Sequence, residues 1–102
     1  MTAKLDASQL PDLLARLPGW TLDPSAASIS RHLEFADFGE AFAFMTHVAL
    51  EAQKRDHHPD WSNSWNIVEV TLTTHDAGGL TMKDIELARF VDRVAEAGTG
   101  AR

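Results

Sequence analysis

Apolar residues recur at helical spacing in three stretches of the chain, and apolar and polar positions alternate between them. Leu10, Leu13, Leu14 and Leu17 predict a first helix over 8–17, stopped by Pro18-Gly19. Trp20-Thr21-Leu22 opens a short strand, and 24–28 has turn composition. Residues 29–35 then alternate, with Ile29, Arg31, Leu33 and Phe35 on one face and Ser30, His32 and Glu34 on the other. The two strands read as a hairpin.

The second helix carries the clearest signal. Asp37 is a good N-cap, and Glu40 follows three residues later as in a capping box. Phe38, Ala41, Phe42, Met45, Val48, Ala49 and Ala52 make one apolar stripe that ends near Arg55. Phe44, His47 and Leu50 lie off it, either as ordinary surface residues or as a second contact face for self-association. A polar connection rich in aromatic residues follows over 56–63. Residues 64–73 alternate again, with Val68, Val70 and Leu72 on one face and Trp65, Ile67, Glu69 and Thr71 on the other.

Asp76-Ala77-Gly78-Gly79 is a loop. Thr81 caps a third helix with Asp84 at its third position. Ile85, Ala88, Val91, Val94 and Ala95 form its core stripe, and Glu86, Arg89, Asp92, Arg93 and Glu96 its solvated face. Helices and short strands without a β-α-β alternation predict an α+β layer, with the helices on one face of an antiparallel sheet. A length of 102 residues suits one domain, and 98–102 read as a frayed tail.

Composition narrows the functions available. The chain has no cysteine, which removes thiol nucleophiles, disulfides and Cys-ligated zinc. Its net charge of -6 argues against binding nucleic acid through phosphates and favours a neutral substrate. No apolar stretch approaches the roughly 20 residues that span a bilayer, and the N-terminus lacks a signal-peptide pattern. A cytoplasmic protein is expected.

Five histidines carry the candidate chemistry. His32 and His47 read as surface residues of a strand and a helix. His57 and His58 sit in a helix-to-strand connection, where Pro59 pushes His58 toward extended backbone. Adjacent residues in extended chain point in different directions, so the two imidazoles suit different roles. His75 closes the next strand; a strand of about eight residues is roughly 25 Å long, so the chain must double back to bring the groups together. Imidazole both donates and accepts protons near pH 7, which fits a reaction needing both. Asp56, Asp60, Asp76 and Asp84 are available to orient imidazoles, and Trp61 and Trp65 to wall a flat ring. On the residues alone three readings stand open: a proton-transfer site, a loop-packing cluster without catalysis, and a zinc site. The last lacks the short-spaced histidine pairs that zinc sites favour.

The run Glu51-Ala52-Gln53-Lys54-Arg55-Asp56-His57-His58-Pro59-Asp60-Trp61 resembles the signature of the pterin-4a-carbinolamine dehydratases. The similarity continues through Asn66, Val68, Leu72-Thr73-Thr74-His75-Asp76, Gly79-Leu80-Thr81 and Lys83-Asp84-Ile85, and covers about 18–96. It implies a four-stranded antiparallel sheet with three helices packed on one face, hence one more short strand or a split of the elements above, which periodicity does not show. It also implies dehydration of 4a-hydroxytetrahydropterin to quinonoid dihydropterin, recycling the cofactor of aromatic amino acid hydroxylases. In that resemblance His57 and His75 are the acid/base pair and His58 orients the pterin with some catalytic share. Asp56, Thr73, Thr74 and Asp76 line the pocket, and Asp84 supports it electrostatically. No metal or other cofactor is implied, and a homodimer or homotetramer is. Animal relatives also act as dimerisation partners of a transcription factor, so a binding module is the alternative function; a pterin-binding relative in another pathway is a third. Gln53 departs from a common Glu, and Lys83 from the Arg of animal members, which would keep the charge but lose a bidentate contact.

Overall fold

The computed structural model describes residues 2–97, so the expected tail at 98–102 lies outside the described residues. Its elements are α1 (Leu10–Ala15), β1 (Thr21–Leu22), β2 (Ile29–Glu34), α2 (Phe38–Arg55), β3 (Asp60–Ser64), β4 (Ile67–Leu72), a 3-10 turn (His75–Ala77) and α3 (Met82–Glu96). The four strands form one antiparallel sheet in the order β1-β2-β4-β3.

The expected alternation decides the two faces of that sheet. Ile29 and Leu33 of β2 and Val68, Val70 and Leu72 of β4 are buried against the helices, joining Leu17, Phe44, Val48, Ile85, Leu87 and Val91 in one core. Burying each such side chain contributes about 1.5–3 kcal/mol. Ser30, His32, Glu34 and Glu69 point to the opposite face and are exposed. The tight turn before β2 is held by Asp23, whose carboxylate accepts from the Ser25 hydroxyl and from the Ser25 amide at 2.9 Å. The hydroxyl contact first, then the amide contact, holds Asp23 below the usual carboxylate range.

Four expectations are corrected. The first helix is shorter than 8–17, because Pro11 sits in its first turn and the chain leaves the helix at Arg16. The predicted single strand over 64–73 is the second arm of a hairpin, and the turn falls at Trp65-Asn66, where Trp65 has a positive φ of 49°. The polar connection over 56–63 therefore contains an additional strand, β3. Asn63 supports the reversal by donating its side-chain amide to the carbonyls of Trp65 and Ile67.

The stripe of α2 is also rotated. Ala41, Phe44, Val48 and Ala52 are buried, whereas Phe38, Phe42 and Ala49 are exposed. Phe44 is fully buried with its ring 5.0 Å from that of Phe35, so it is a core residue and no part of a contact face. Apolar residues occur around most of this helix, so periodicity alone could not choose its inner side. Finally, Asp92 does not belong to a solvated face. It is half-buried and accepts hydrogen bonds from the Trp20 indole at 2.8 Å and from Arg31, tying α3 to β2. Leu87, which the predicted α3 stripe left out, is fully buried.

Candidate active site

The end of α2 turns back on itself at Asp56. This residue adopts a left-handed conformation (φ 51°, ψ 43°), which few residues other than glycine enter and which aspartate enters more readily than most. The Asp56 amide donates to the Gln53 carbonyl, and the His57 amide to the Ala52 carbonyl at 3.1 Å. These bonds satisfy the last carbonyls of the helix and swing His57 inward, where it is 8% exposed. His58 stays exposed, Pro59 follows it, and β3 begins at Asp60.

The hairpin solves the distance problem raised by the 25 Å strand. Asp60, the first residue of β3, lies opposite Thr71, near the end of β4. The segment after β4 therefore emerges beside the segment before β3. Thr74 and Gly79 pair through two backbone hydrogen bonds, and His75 lies on the 3-10 turn between them. Gly78 closes that turn at φ 76°. Gly79 is buried beneath the Lys4 side chain, and a Cβ there would come within 3.0 Å of it. The Leu5 amide donates to the Leu80 carbonyl at 2.8 Å, so the N-terminal segment straps this loop.

Asp84 is the hub beneath the site. It is fully buried in the first turn of α3, where the N-terminal end of the helix favours a negative charge. One oxygen lies 2.6 Å from His57 Nε2. The other accepts from the Thr81 amide at 3.0 Å and from the Thr74 hydroxyl at 2.8 Å. Thr81 in turn donates its hydroxyl to Thr74 at 2.7 Å and accepts from the Lys83 amide at 3.2 Å. A buried carboxylate demands such partners, since an unpaired charge there is costly. The carboxylate accepts at every one of these contacts, so His57 carries its proton on Nε2. His57 Nδ1 has no protein partner, and among the described residues no buried side-chain nitrogen or oxygen lacks one. Nδ1 is therefore the nitrogen open to solvent.

A cavity of about 260 Å³ lies over this network. It is lined by Asp56, His57, His58, Asp60, Thr73, Thr74, His75, Asp76 and Lys83. Every expected site residue except Asp84 borders it, and Asp84 sits behind its wall. The Thr73 hydroxyl is engaged elsewhere, donating to the Ala27 carbonyl at 2.6 Å and anchoring the end of β4 to the turn before β2. His75 is exposed, with Nε2 3.5 Å from an Asp60 oxygen. Asp60 and Lys83 were not among the expected pocket residues. Both stand inside the quoted motif runs, and Asp60 is among the aspartates able to orient an imidazole. Neither tryptophan walls the cavity: Trp61 points from β3 toward the core side, and Trp65 sits exposed in the hairpin turn. Gln53 is exposed on α2 and does not line the cavity. Among the described residues no group of three or more His, Cys, Asp or Glu is arranged to hold a metal ion.

The family model for pterin 4 alpha carbinolamine dehydratase matches residues 3–94. The chain belongs to the pterin-4-alpha-carbinolamine dehydratase family. A relative from Rhodospirillum rubrum, provisionally named a pterin-4-alpha-carbinolamine dehydratase, is 53% identical over 92% of this chain and 98% of its own. One from Burkholderia vietnamiensis with the same provisional name is 55% identical over 92% of each chain. Among solved structures, a transcriptional coactivator/pterin dehydratase from Brucella melitensis superposes with a TM-score of 0.87 at 42% identity, covering 90% of this chain and 98% of that one. A pterin dehydratase-like protein identified as a RuBisCO assembly factor superposes at 0.66 with 19% identity, over 76% of this chain and 90% of that one, a likeness of fold alone. The Brucella melitensis protein carries a coactivator name beside the dehydratase one. In this chain the site joins an inward histidine, a buried carboxylate bonded to it and a second histidine on the facing loop. No helix among the described residues is long and apolar enough to cross a membrane.

Proposed function

We propose that the protein dehydrates 4a-hydroxytetrahydropterin to quinonoid dihydropterin. In this reaction the C4a–O bond breaks, the hydroxyl takes up a proton and leaves as water, and an adjacent ring nitrogen loses its proton as a double bond to C4a forms. The reaction is redox-neutral and consists of one proton given and one taken, so it calls for no metal, flavin or nucleotide. His57 and His75 are the acid/base pair, His58 holds the ring, and Asp56, Thr73, Thr74 and Asp76 line the pocket. Asp84 positions His57. The protein would work in the cytoplasm as a homodimer or homotetramer, regenerating the pterin used by an aromatic amino acid hydroxylase.

The observation that carries this reading is the pairing of His57 Nε2 with the buried Asp84. A histidine needed only for packing gains nothing from a carboxylate that fixes its tautomer and leaves Nδ1 accessible. The same orientation logic serves histidine bases elsewhere. Stopped-flow absorbance of 4a-hydroxytetrahydropterin decay tests it. The protein should accelerate decay, and His57→Ala and His75→Ala should each reduce that acceleration by roughly 10²-fold or more. Normal turnover in both variants would reject the assignment.

A second reading, as a protein-binding module, draws on the exposed apolar side chains Phe38, Phe42 and Leu50 of α2. It also fits the coactivator name of the Brucella melitensis structure. The two roles use different faces and are compatible.

A further inference from the structure

Two histidines of the site meet an aspartate through the same ring atom. His57 Nε2 lies 2.6 Å from an Asp84 oxygen, and His75 Nε2 lies 3.5 Å from an Asp60 oxygen. In both pairs the histidine stands shortly after the end of one element and the aspartate at the start of another. His57 follows α2 and meets the first turn of α3, whereas His75 follows β4 and meets the first residue of β3. The first pair is buried. The second is open to solvent, with His75 78% and Asp60 64% exposed.

The cavity offers His75 three carboxylates, those of Asp56, Asp60 and Asp76. Among the described residues neither Asp56 nor Asp76 comes within 4.0 Å of a histidine nitrogen, and His75 is the one basic side chain within that distance of Asp60. The fold makes this selection. Asp60 is in register with Thr71, four residues before His75, so the hairpin sets the carboxylate beside the turn that carries the imidazole. The backbone of that turn is held by the Thr73 bond to Ala27 and by the two bonds between Thr74 and Gly79. An exposed imidazole on a fixed backbone still rotates about its two side-chain torsions. No packing confines the ring, and a carboxylate on the adjacent strand is what limits its rotation. Groups placed on strands are held more precisely than groups placed on loops.

We propose that Asp60 is a positioning residue for His75. Its carboxylate holds the Nε2 edge of the ring and leaves Nδ1 as the nitrogen through which His75 takes part in the proton transfers set out above. The proposal rests on the dehydratase reading. A separation of 3.5 Å is long for a hydrogen bond, and catalytic contacts of this kind tighten when substrate binds. The two aspartates therefore divide the work. Asp84 fixes His57 in one orientation permanently, while Asp60 lets His75 yield as a ligand enters and then returns its ring to one orientation.

The test is a double-mutant cycle read by stopped-flow turnover of 4a-hydroxytetrahydropterin, comparing the native protein, Asp60→Asn, His75→Ala and the double variant. Asparagine keeps the size of the side chain and removes its charge. Because the pair is exposed, Asp60→Asn should lower kcat by about 3- to 5-fold and leave KM within about 2-fold. Asp60→Glu should restore kcat to within about 2-fold of the native value, since it returns the carboxylate. On the His75→Ala background Asp60→Asn should have no further effect, because a residue that acts through His75 then has nothing to position. An equal loss on both backgrounds would show that Asp60 acts on the substrate directly. An unchanged kcat in Asp60→Asn would make the pair an incidental surface contact, and a loss of kcat matched by a loss of circular dichroism would make the residue structural. Each of these three outcomes overturns the positioning role and leaves the dehydratase reading intact. Absence of turnover by the native protein rejects the dehydratase reading itself, and the positioning role with it.

Discussion

Asp84 accepts hydrogen bonds from three groups, His57, Thr74 and Thr81, and has no exposure to solvent. The side chain is therefore irreplaceable even by its closest isostere. In Asp84→Asn the amide oxygen can still accept from Thr74 and Thr81, but the amide nitrogen then faces His57 as a donor. His57 must accept through Nε2, and its proton moves to Nδ1, the nitrogen open to solvent. We expect ¹⁵N chemical shifts of the His57 ring to report that change of tautomer, activity to fall by about 10²-fold or more, and stability to drop by about 2 kcal/mol, as for a lost hydrogen bond to a buried charged group. An Nε2–H tautomer retained in the variant would refute the orienting role. At this scale the sequence was informative about identity and silent about partnership. His57, His58, His75 and the cap position of Asp84 were all legible, because they sit in a compact motif or obey a spacing of three residues. The bond from His57 to Asp84 spans 27 positions and depends on where the first turn of α3 meets the last turn of α2.

Among the elements, α2 shows how a correct helix can be set at the wrong rotation. Its cap and length follow local rules: the Asp37 carboxylate accepts from the Glu40 amide at 2.8 Å, and the helix runs to Arg55 as expected. Which side faces inward was decided by the sheet and by α3. The rotation predicts a contrast that urea unfolding can measure. Phe44→Ala should cost about 3–5 kcal/mol, as for other buried aromatic truncations, whereas Phe42→Ala, at a position 55% exposed, should stay within about 0.5 kcal/mol in the isolated chain. Equal losses at the two positions would contradict the observed rotation. The β3–β4 hairpin was missed for a different reason. Trp65-Asn66 lacks the glycine that usually marks a two-residue turn, and Trp65 takes a positive φ that its side chain disfavours. The run Asp60–Ser64, with its polar Asp, Ser and Asn, also has weak strand propensity. It pairs because β4 offers an open edge.

For the whole molecule, the exposed apolar side chains of α2 bear on assembly. Phe38 and Phe42 contact each other with ring centroids 5.8 Å apart and planes tilted by 38°, and Leu50 is 63% exposed two turns further along. A homodimer or homotetramer built on this helix would bury them. The paired substitution Phe42→Glu with Leu50→Glu should then shift the sedimentation coefficient of the protein down to that of the 11.2 kDa monomer while preserving its circular dichroism. A native protein that already sediments as the monomer would overturn the expectation. Taken alone, the chain's pattern settled what is local: three helices, their caps, the alternation of two strands, the motif histidines and the family. These depend on residues within a turn or a strand of one another. Only the folded arrangement decided what faces what: the rotation of α2, the hairpin that sets Asp60 across from Thr71, and the carboxylate of α3 behind His57. Those features depend on packing between segments far apart in the chain, where several arrangements satisfy the same local pattern and one satisfies the burial and hydrogen bonding of all of them together. The segment from Asp56 to Trp61 was visible as chemistry from the start. Its direction, with Nδ1 of His57 as the open nitrogen, belongs to the tertiary structure.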